Sequence, residues 1–220
     1  MLSVLNAMSI FLITLLSLTS LNKMSSIQKI KLSVPALIWV ILASVLSTGV
    51  MRLLSYNFPF LSNFTPMGAV AIFGGAYFAD KWKAALVSVI TLFVTDIFIN
   101  YLYMSKIVLW YGNSALWLYG SLIIMIFIGS LIKKANVTNV LLASLASVAV
   151  HWLLTDIEPW LYSTYYAKGL LGYGQSLLLA IPFERNMLLA DAVFGAVLFG
   201  GYALVKNRYT VTSTERATTA

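Results

Sequence analysis

The amino-acid sequence predicts an all-α, polytopic membrane bundle of about six transmembrane helices with both ends in the cytoplasm. Three observations carry this. Hydrophobic residues make up 60% of the 220-residue chain and charged residues only 10%, whereas a water-soluble domain carries about 25% charged residues because its surface faces water. The apolar residues form long uncharged runs, not the short alternating segments of a transmembrane barrel. The basic residues, finally, concentrate in alternate loops, which is the positive-inside pattern.

The runs fall at residues 33–54, 64–79, 84–101, 114–132, 138–155 and 187–205. Most are long enough to cross a hydrocarbon core of about 30 Å at about 1.5 Å per residue. The second is short and glycine-rich, and is expected to be partly unwound at Pro66 or supported by its neighbours. With the amino terminus inside, the cytoplasmic side receives Lys23, Lys29, Lys31, Lys81, Lys83, Lys133, Lys134, Lys206, Arg208 and Arg216. Only Arg52, Lys106, Lys168 and Arg185 of the 14 basic residues fall outside. The net charge of +7 therefore reads as membrane orientation rather than nucleic-acid binding.

Residues 33–205 read as one six-helix membrane domain, 1–32 as an amino-terminal segment and 206–220 as a polar cytoplasmic tail. The first 22 residues are apolar but lack a basic lead and a small-residue cleavage site, so they make a poor signal peptide. They read either as a seventh span or as sequence preceding a start at Met24. The longest stretch between spans, 156–186, is rich in tyrosine, tryptophan and leucine. That composition predicts an interfacial helix or a re-entrant lid.

The most distinctive local pattern runs from Asn63 to Phe78, NFTPMGAVAIFGGAYF. Asn63 or Thr65 is placed to cap a helix with Pro66 in its first turn. Gly68, Ala71, Gly74 and Gly75 strip side-chain bulk from that helix, which permits close helix approach in lipid. The competing reading is that the helix start, with its free N–H groups, faces a solute. Ala192, Ala196 and Gly200 form a second small-residue ladder, fit for packing within the bundle or against a partner subunit.

Asp96 and Asp191 lie inside apolar runs, where an ionised carboxylate needs a partner or water. Each reads equally as a helix-fixing salt bridge or cap, or as a solute or proton site. His151 is the sole histidine, with Asp156 and Glu158 following it, and their spacing matches no recognised metal pattern. The chain has no cysteine, so disulfides and thiolate chemistry are excluded. It also lacks HExxH, GxSxG and Walker A sequences. The expectation is a non-enzyme without metal or cofactor; a third-ranked alternative is an intramembrane enzyme using Asp96, His151 and Asp191 as acid–base groups.

Aromatic residues such as Tyr56, Tyr103, Trp110, Tyr111 and Trp160 gather toward the outer half, which predicts an outward-facing aromatic pocket. Arg52, Asn57, Asn63, Trp110, Tyr111, His151, Asp156, Trp160, Arg185 and Asp191 are the expected pocket or lid residues. Rings would stack on a flat solute, and Arg52 and Arg185 would meet a carboxylate or phosphate.

The Asn63–Phe78 signature, followed by Asp80, Lys81, Trp82 and a span carrying Asp96, resembles a family of uncharacterised bacterial membrane proteins classed as transporters. More distantly, the size, six spans and loop pattern resemble the substrate-binding S components of energy-coupling factor (ECF) vitamin transporters. This resemblance implies a bacterial inner-membrane protein that captures a vitamin- or cofactor-like solute under outer loops. It also implies a membrane scaffold subunit and a pair of ATPases as partners, beside the lipid bilayer. Ala36 and Ala43, seven residues apart, do not reproduce the alanine-rich docking motif that S components commonly carry in their first span. The alternative from another class is an accessory or structural subunit of a larger membrane complex, with the 192–200 ladder as its interface.

Overall fold

The computed structural model describes residues 27–109 and 112–206; the expectations for residues 1–22, Trp110, Tyr111 and the polar tail lie outside these. The chain runs through α1 (Val34–Asn57), a single 3-10 turn (Pro59–Leu61), α2 (Met67–Tyr77), α3 (Lys81–Met104) and α4 (Asn113–Ser130). It continues through α5 (Val137–Thr155), the short α6 (Ile157–Tyr162) and α7, which extends over Leu170–Lys206. Five of these segments are long and apolar enough to cross a membrane, and α2 is the short sixth member. The described chain makes six passes and begins and ends at the same, lysine-rich end. It is a multi-pass helical membrane protein.

The shortest helix is the centre of the bundle. Nine of the 11 residues of α2 are buried, and it packs against α3, α4, α5 and α7. It can do so because its bulk has been removed. A Cβ on Gly75 would collide with the Ile126 carbonyl on α4, one on Gly129 of α4 with the Ile72 carbonyl, and one on Gly74 with Ala84 of α3. Backbone thus meets backbone, where dispersion contact replaces the hydrophobic drive that lipid cannot supply. Ala71 is fully buried in the same seam. Gly74, Gly75 and Ala71 thus lie in this seam, and Gly129 of α4 meets it from the other side.

At about 16 Å, α2 cannot span the hydrocarbon, so its ends need other partners than water. At its carboxyl end, Lys29 Nζ donates to the Ala76 carbonyl (2.6 Å), and Lys81 Nζ to the carbonyls of Gly75 (2.6 Å) and Phe78 (2.7 Å). Cations complement the negative end of a helix and satisfy its free carbonyls. The segment before α1 is fastened there too: the Ile30 N–H donates to the Tyr77 carbonyl (2.7 Å) and the Ala79 N–H to the Ile30 carbonyl (2.9 Å). Phe73, Tyr77, Phe199 and Tyr202 cluster at the same end. Outside the helices, Asp80 accepts from Lys83 at 2.7 Å, and this bond holds its carboxyl below the usual carboxylate range.

Two expected boundaries change. The helix expected over 64–79 begins only at Met67; Pro66 precedes it without any side-chain cap, and Asn63 adopts a left-handed backbone (φ 62°) in the turn. Neither Asn63 nor Thr65 caps α2. The last helix starts at Leu170 rather than 187, so the expected loop at 156–186 shrinks to α6 and a connection over 163–169. Pro182 lies within α7. It costs one N–H donor to the Leu178 carbonyl, and the adjacent Leu177 carbonyl accepts from the Trp152 indole N–H (2.9 Å). Glu184 and Asn186, within the stretch 156–186 that reads as an interfacial helix or lid, are instead buried in the bundle.

The inward face of the second half of α7 is Asp191, Gly195, Phe199 and Ala203, all buried. A strict four-residue step precesses around a helix of about 3.6 residues per turn; the wider π-helical winding at Ala196–Gly200 keeps the step on one face. The expected ladder lies one residue off this face. Ala192 and Ala196 line a narrow cleft against α5, and Gly200 is half-buried.

Candidate functional site

At the end opposite the lysines, the six passing helices part around a cavity of about 270 Å3. Its wall takes Arg52 and Tyr56 from α1, Asn63 and Thr65 from the turn, and Met67 and Gly68 from the start of α2. Tyr103 of α3, Ser121 and Met125 of α4, His151 of α5 and Met187 of α7 complete it. A second, more open cavity of about 420 Å3 adjoins it and shares Asn63, Leu118 and His151. Asp156, Ser176, Tyr166 and Glu184 line this outer chamber. By the positive-inside rule both chambers face outward.

Each chamber has its own polar pair. In the inner one, Arg52 Nη1 lies 2.5 Å from Asp96 Oδ1 and donates to Thr95 Oγ1 at 2.9 Å, with the Tyr119 hydroxyl beside the same carboxylate. Of the competing readings for Asp96, the salt bridge is the one observed. This pair brings α1 onto α3 with the ion pair largely out of water. In the outer chamber, the Glu184 carboxylate lies 3.1 and 3.2 Å from His151 Nδ1 and accepts a long bond from Asn63 Nδ2 (3.4 Å). Asp156 Oδ1 accepts from the Ser176 hydroxyl at 2.8 Å. Asn186 Nδ2 donates to the carbonyls of Phe60 (2.7 Å) and Ser62 (2.9 Å). The turn between α1 and α2, which roofs the inner cavity, is therefore tied to α7 through side chains: Asn63 of the turn to Glu184, and Asn186 of α7 to the turn's carbonyls.

The expected site residues divide. Arg52, Asn63, His151 and Asp156 converge on the two chambers. Asn57 is exposed and bonds back to the Leu53 carbonyl (2.8 Å). Arg185 is exposed on the outer side of α7, between the inward Glu184 and Asn186, so it faces no cavity. Trp160 lines neither chamber and packs on Tyr173 with ring centroids 5.2 Å apart. Asp191 stands behind the inner cavity, its carboxylate against Gly68. The aromatic wall is thinner than expected: beside the His151 imidazole, Tyr56 and Tyr103, edge-on at 4.9 Å, are the only phenylalanine, tyrosine or tryptophan rings on the inner cavity among the described residues. Glu184 and Ser176 fall in the stretch 156–186, whose composition predicts an interfacial helix or lid and so does not place them inside the bundle. A signal existed in the uninterrupted run 170–181, which contains no proline.

The fold and its buried polar pairs define a class, the polytopic helical membrane protein with a cavity inside the bundle. Residues 31–214 match the model of a family of unknown function, DUF6580, and the chain belongs to that family. No curated protein and no solved structure matches the chain.

Proposed function

We propose that the protein binds a small solute from the outer side and takes part in its uptake, in the manner of an ECF S component. The observation that carries this reading is the inner cavity, which reaches Met125 and Met187 and is roofed by a turn held through side chains rather than secondary structure. At about 270 Å3 it stands just below the usual range for small-molecule sites, about 300–1,000 Å3. Methionine, leucine and tyrosine would supply apolar contact, and Ser121, Asn63 and His151 orienting polar groups. The Arg52 guanidinium is already engaged by Asp96, and Arg185 points away. A neutral or weakly cationic solute therefore suits the chambers better than a carboxylate or phosphate. A vitamin- or cofactor-like molecule of modest size fits that description. The chain acts as a binding protein rather than an enzyme, in a bacterial inner membrane, with a scaffold subunit and ATPase pair supplying energy where they are present.

Native mass spectrometry of the protein extracted in mild detergent tests this. A retained small molecule is expected, together with a thermal shift from that molecule. Thr65→Trp, which plugs the roof of the inner cavity, should abolish both. The reading fails if no molecule is retained and a vitamin panel gives no shift, or if the plugged variant binds as before.

A further inference from the structure

Four carboxylates are buried among the described residues: Asp96, Asp156, Glu184 and Asp191. Three are held by a partner. Asp96 has Arg52, Asp156 has Ser176, and Glu184 has His151 and Asn63. Asp191 is the most deeply buried, at 1% exposure, and both of its oxygens lack a hydrogen-bond partner of good geometry. It lies over the Gly68 Cα at the amino end of α2 and faces the Ala69 N–H. A Cβ at position 68 would fall where the carboxylate stands and would displace it.

Two opposing forces act on this group. Removal from water disfavours the anion by several kcal/mol. The amino end of a helix, with its unbonded N–H groups, favours it. Among the described residues, no cation is at hand to settle the balance. α2 carries no titratable side chain before Tyr77, and α5 presents Val137 to Ser144 across the cleft, none of them titratable. On α7 itself, Glu184 lies two turns toward the outer end and acts on Asp191 as a like charge. The position is equally telling. On one side, Met67 and Gly68 separate the carboxylate from the outward cavity. On the other, Asp191 lines the narrow cleft between α5 and α7, of about 50 Å3, that leads to Ala135 and Asn136 at the lysine-rich end.

We propose that Asp191 is a proton-binding site between the outward cavity and the inward cleft, whose occupancy governs the contact between α2 and α7. With the proton bound, the neutral carboxyl sits in an apolar site without charge. When the proton leaves to water, the carboxylate draws on the α2 amino end, and Met67 and Gly68 move with it. A metal cation is disfavoured: the positive end of a helix faces the site, and hard cations require about six oxygen ligands. For uptake, this makes Asp191 the point where a proton gradient would act. That link rests on the solute-binding reading; the titration itself does not.

The test uses wild-type protein in lipid nanodiscs and dicyclohexylcarbodiimide, which reacts with protonated carboxyls in apolar surroundings. Mass spectrometry should place the adduct on Asp191, and labelling should fall about tenfold per pH unit above its midpoint, as for a single titrating group. Exchanging choline chloride for sodium chloride should change nothing. In infrared difference spectra, a protonated-carboxyl band should titrate over the same range and vanish in Asp191→Asn while persisting in Asp156→Asn. Absent or pH-independent labelling of Asp191 would overturn the proposal, and so would protection by sodium at fixed pH. A protein that titrates at Asp191 yet binds no solute would sink the uptake reading alone.

Discussion

Arg52 and Asp96 are 44 residues apart in a chain where charge is scarce, yet they meet at 2.5 Å inside the bundle. Removing one partner leaves the other buried without its counter-charge, which costs about 3–5 kcal/mol in a protein interior. The Arg52 side chain retains 21% exposure to the cavity, so the lower end of that range applies. Arg52→Met should therefore lower thermal stability by about 3 kcal/mol, whereas Arg52→Met with Asp96→Leu should recover most of the loss because no orphan charge remains. Melting of the single and double variants in one detergent decides this; additive losses would show that the two side chains do not act as a pair. The need for a partner at Asp96 was readable from its apolar surroundings alone. The identity of the partner was not, because it depends on how α1 lies across α3. Glu184 illustrates the opposite failure: it stands beside Arg185 and Asn186 in a polar triplet that reads as a solvated boundary. On a helix the first and third members lie about 200° apart, and each is buried by a different neighbour: Glu184 by His151 of α5, Asn186 by the turn at Phe60 and Ser62, with Arg185 left exposed between them.

Helix α2 departs furthest from an ordinary span. Its composition announced close packing, and the contacts with α3 and α4 follow from it, but glycine spacing cannot say which neighbour is approached. Gly75 meets a carbonyl of α4, an atom that cannot move aside as a flexible side chain would. Gly75→Ala should therefore cost about 1–3 kcal/mol through overpacking, despite the better helix propensity of alanine. Gly120 of α4 has open space where its Cβ would stand, so Gly120→Ala should be neutral or stabilise by up to about 1 kcal/mol. Thermal unfolding of the two variants distinguishes a packing contact from a general effect of glycine: equal shifts would contradict the seam between α2 and α4. The start of α7 was obscured for a different reason. Pro182 ordinarily marks an end in water, but within a bundle one lost bond is tolerated when neighbours satisfy nearby carbonyls, as Trp152 does here.

For the whole molecule, the six passes were legible because burial in lipid demands uncharged runs, and the structure adds the relation between the two ends. One end gathers Lys29, Lys81 and Lys83 into bonds with backbone carbonyls; the other holds the chambers and the carboxylates Glu184 and Asp156. The positive-inside rule makes the first end cytoplasmic, and the solute reading depends on that orientation. The absence of cysteine gives a direct test without preparatory mutations. Ser105, Thr164 and Lys134 are all exposed, so single substitutions to cysteine should be tolerated. A membrane-impermeant maleimide applied to intact cells should label Ser105→Cys, beyond the end of α3, and Thr164→Cys, between α6 and α7. Lys134→Cys, between α4 and α5, should react only after the membrane is opened. Helix α7 sharpens the expectation for Thr164: at about 55 Å over 37 residues it exceeds the hydrocarbon thickness even when tilted. Its first turns and the 163–169 connection should therefore stand clear of the bilayer. Labelling of Lys134→Cys alone in intact cells would invert the bundle, place both chambers in the cytoplasm, and turn a protein that captures solute from outside into one that receives it from within.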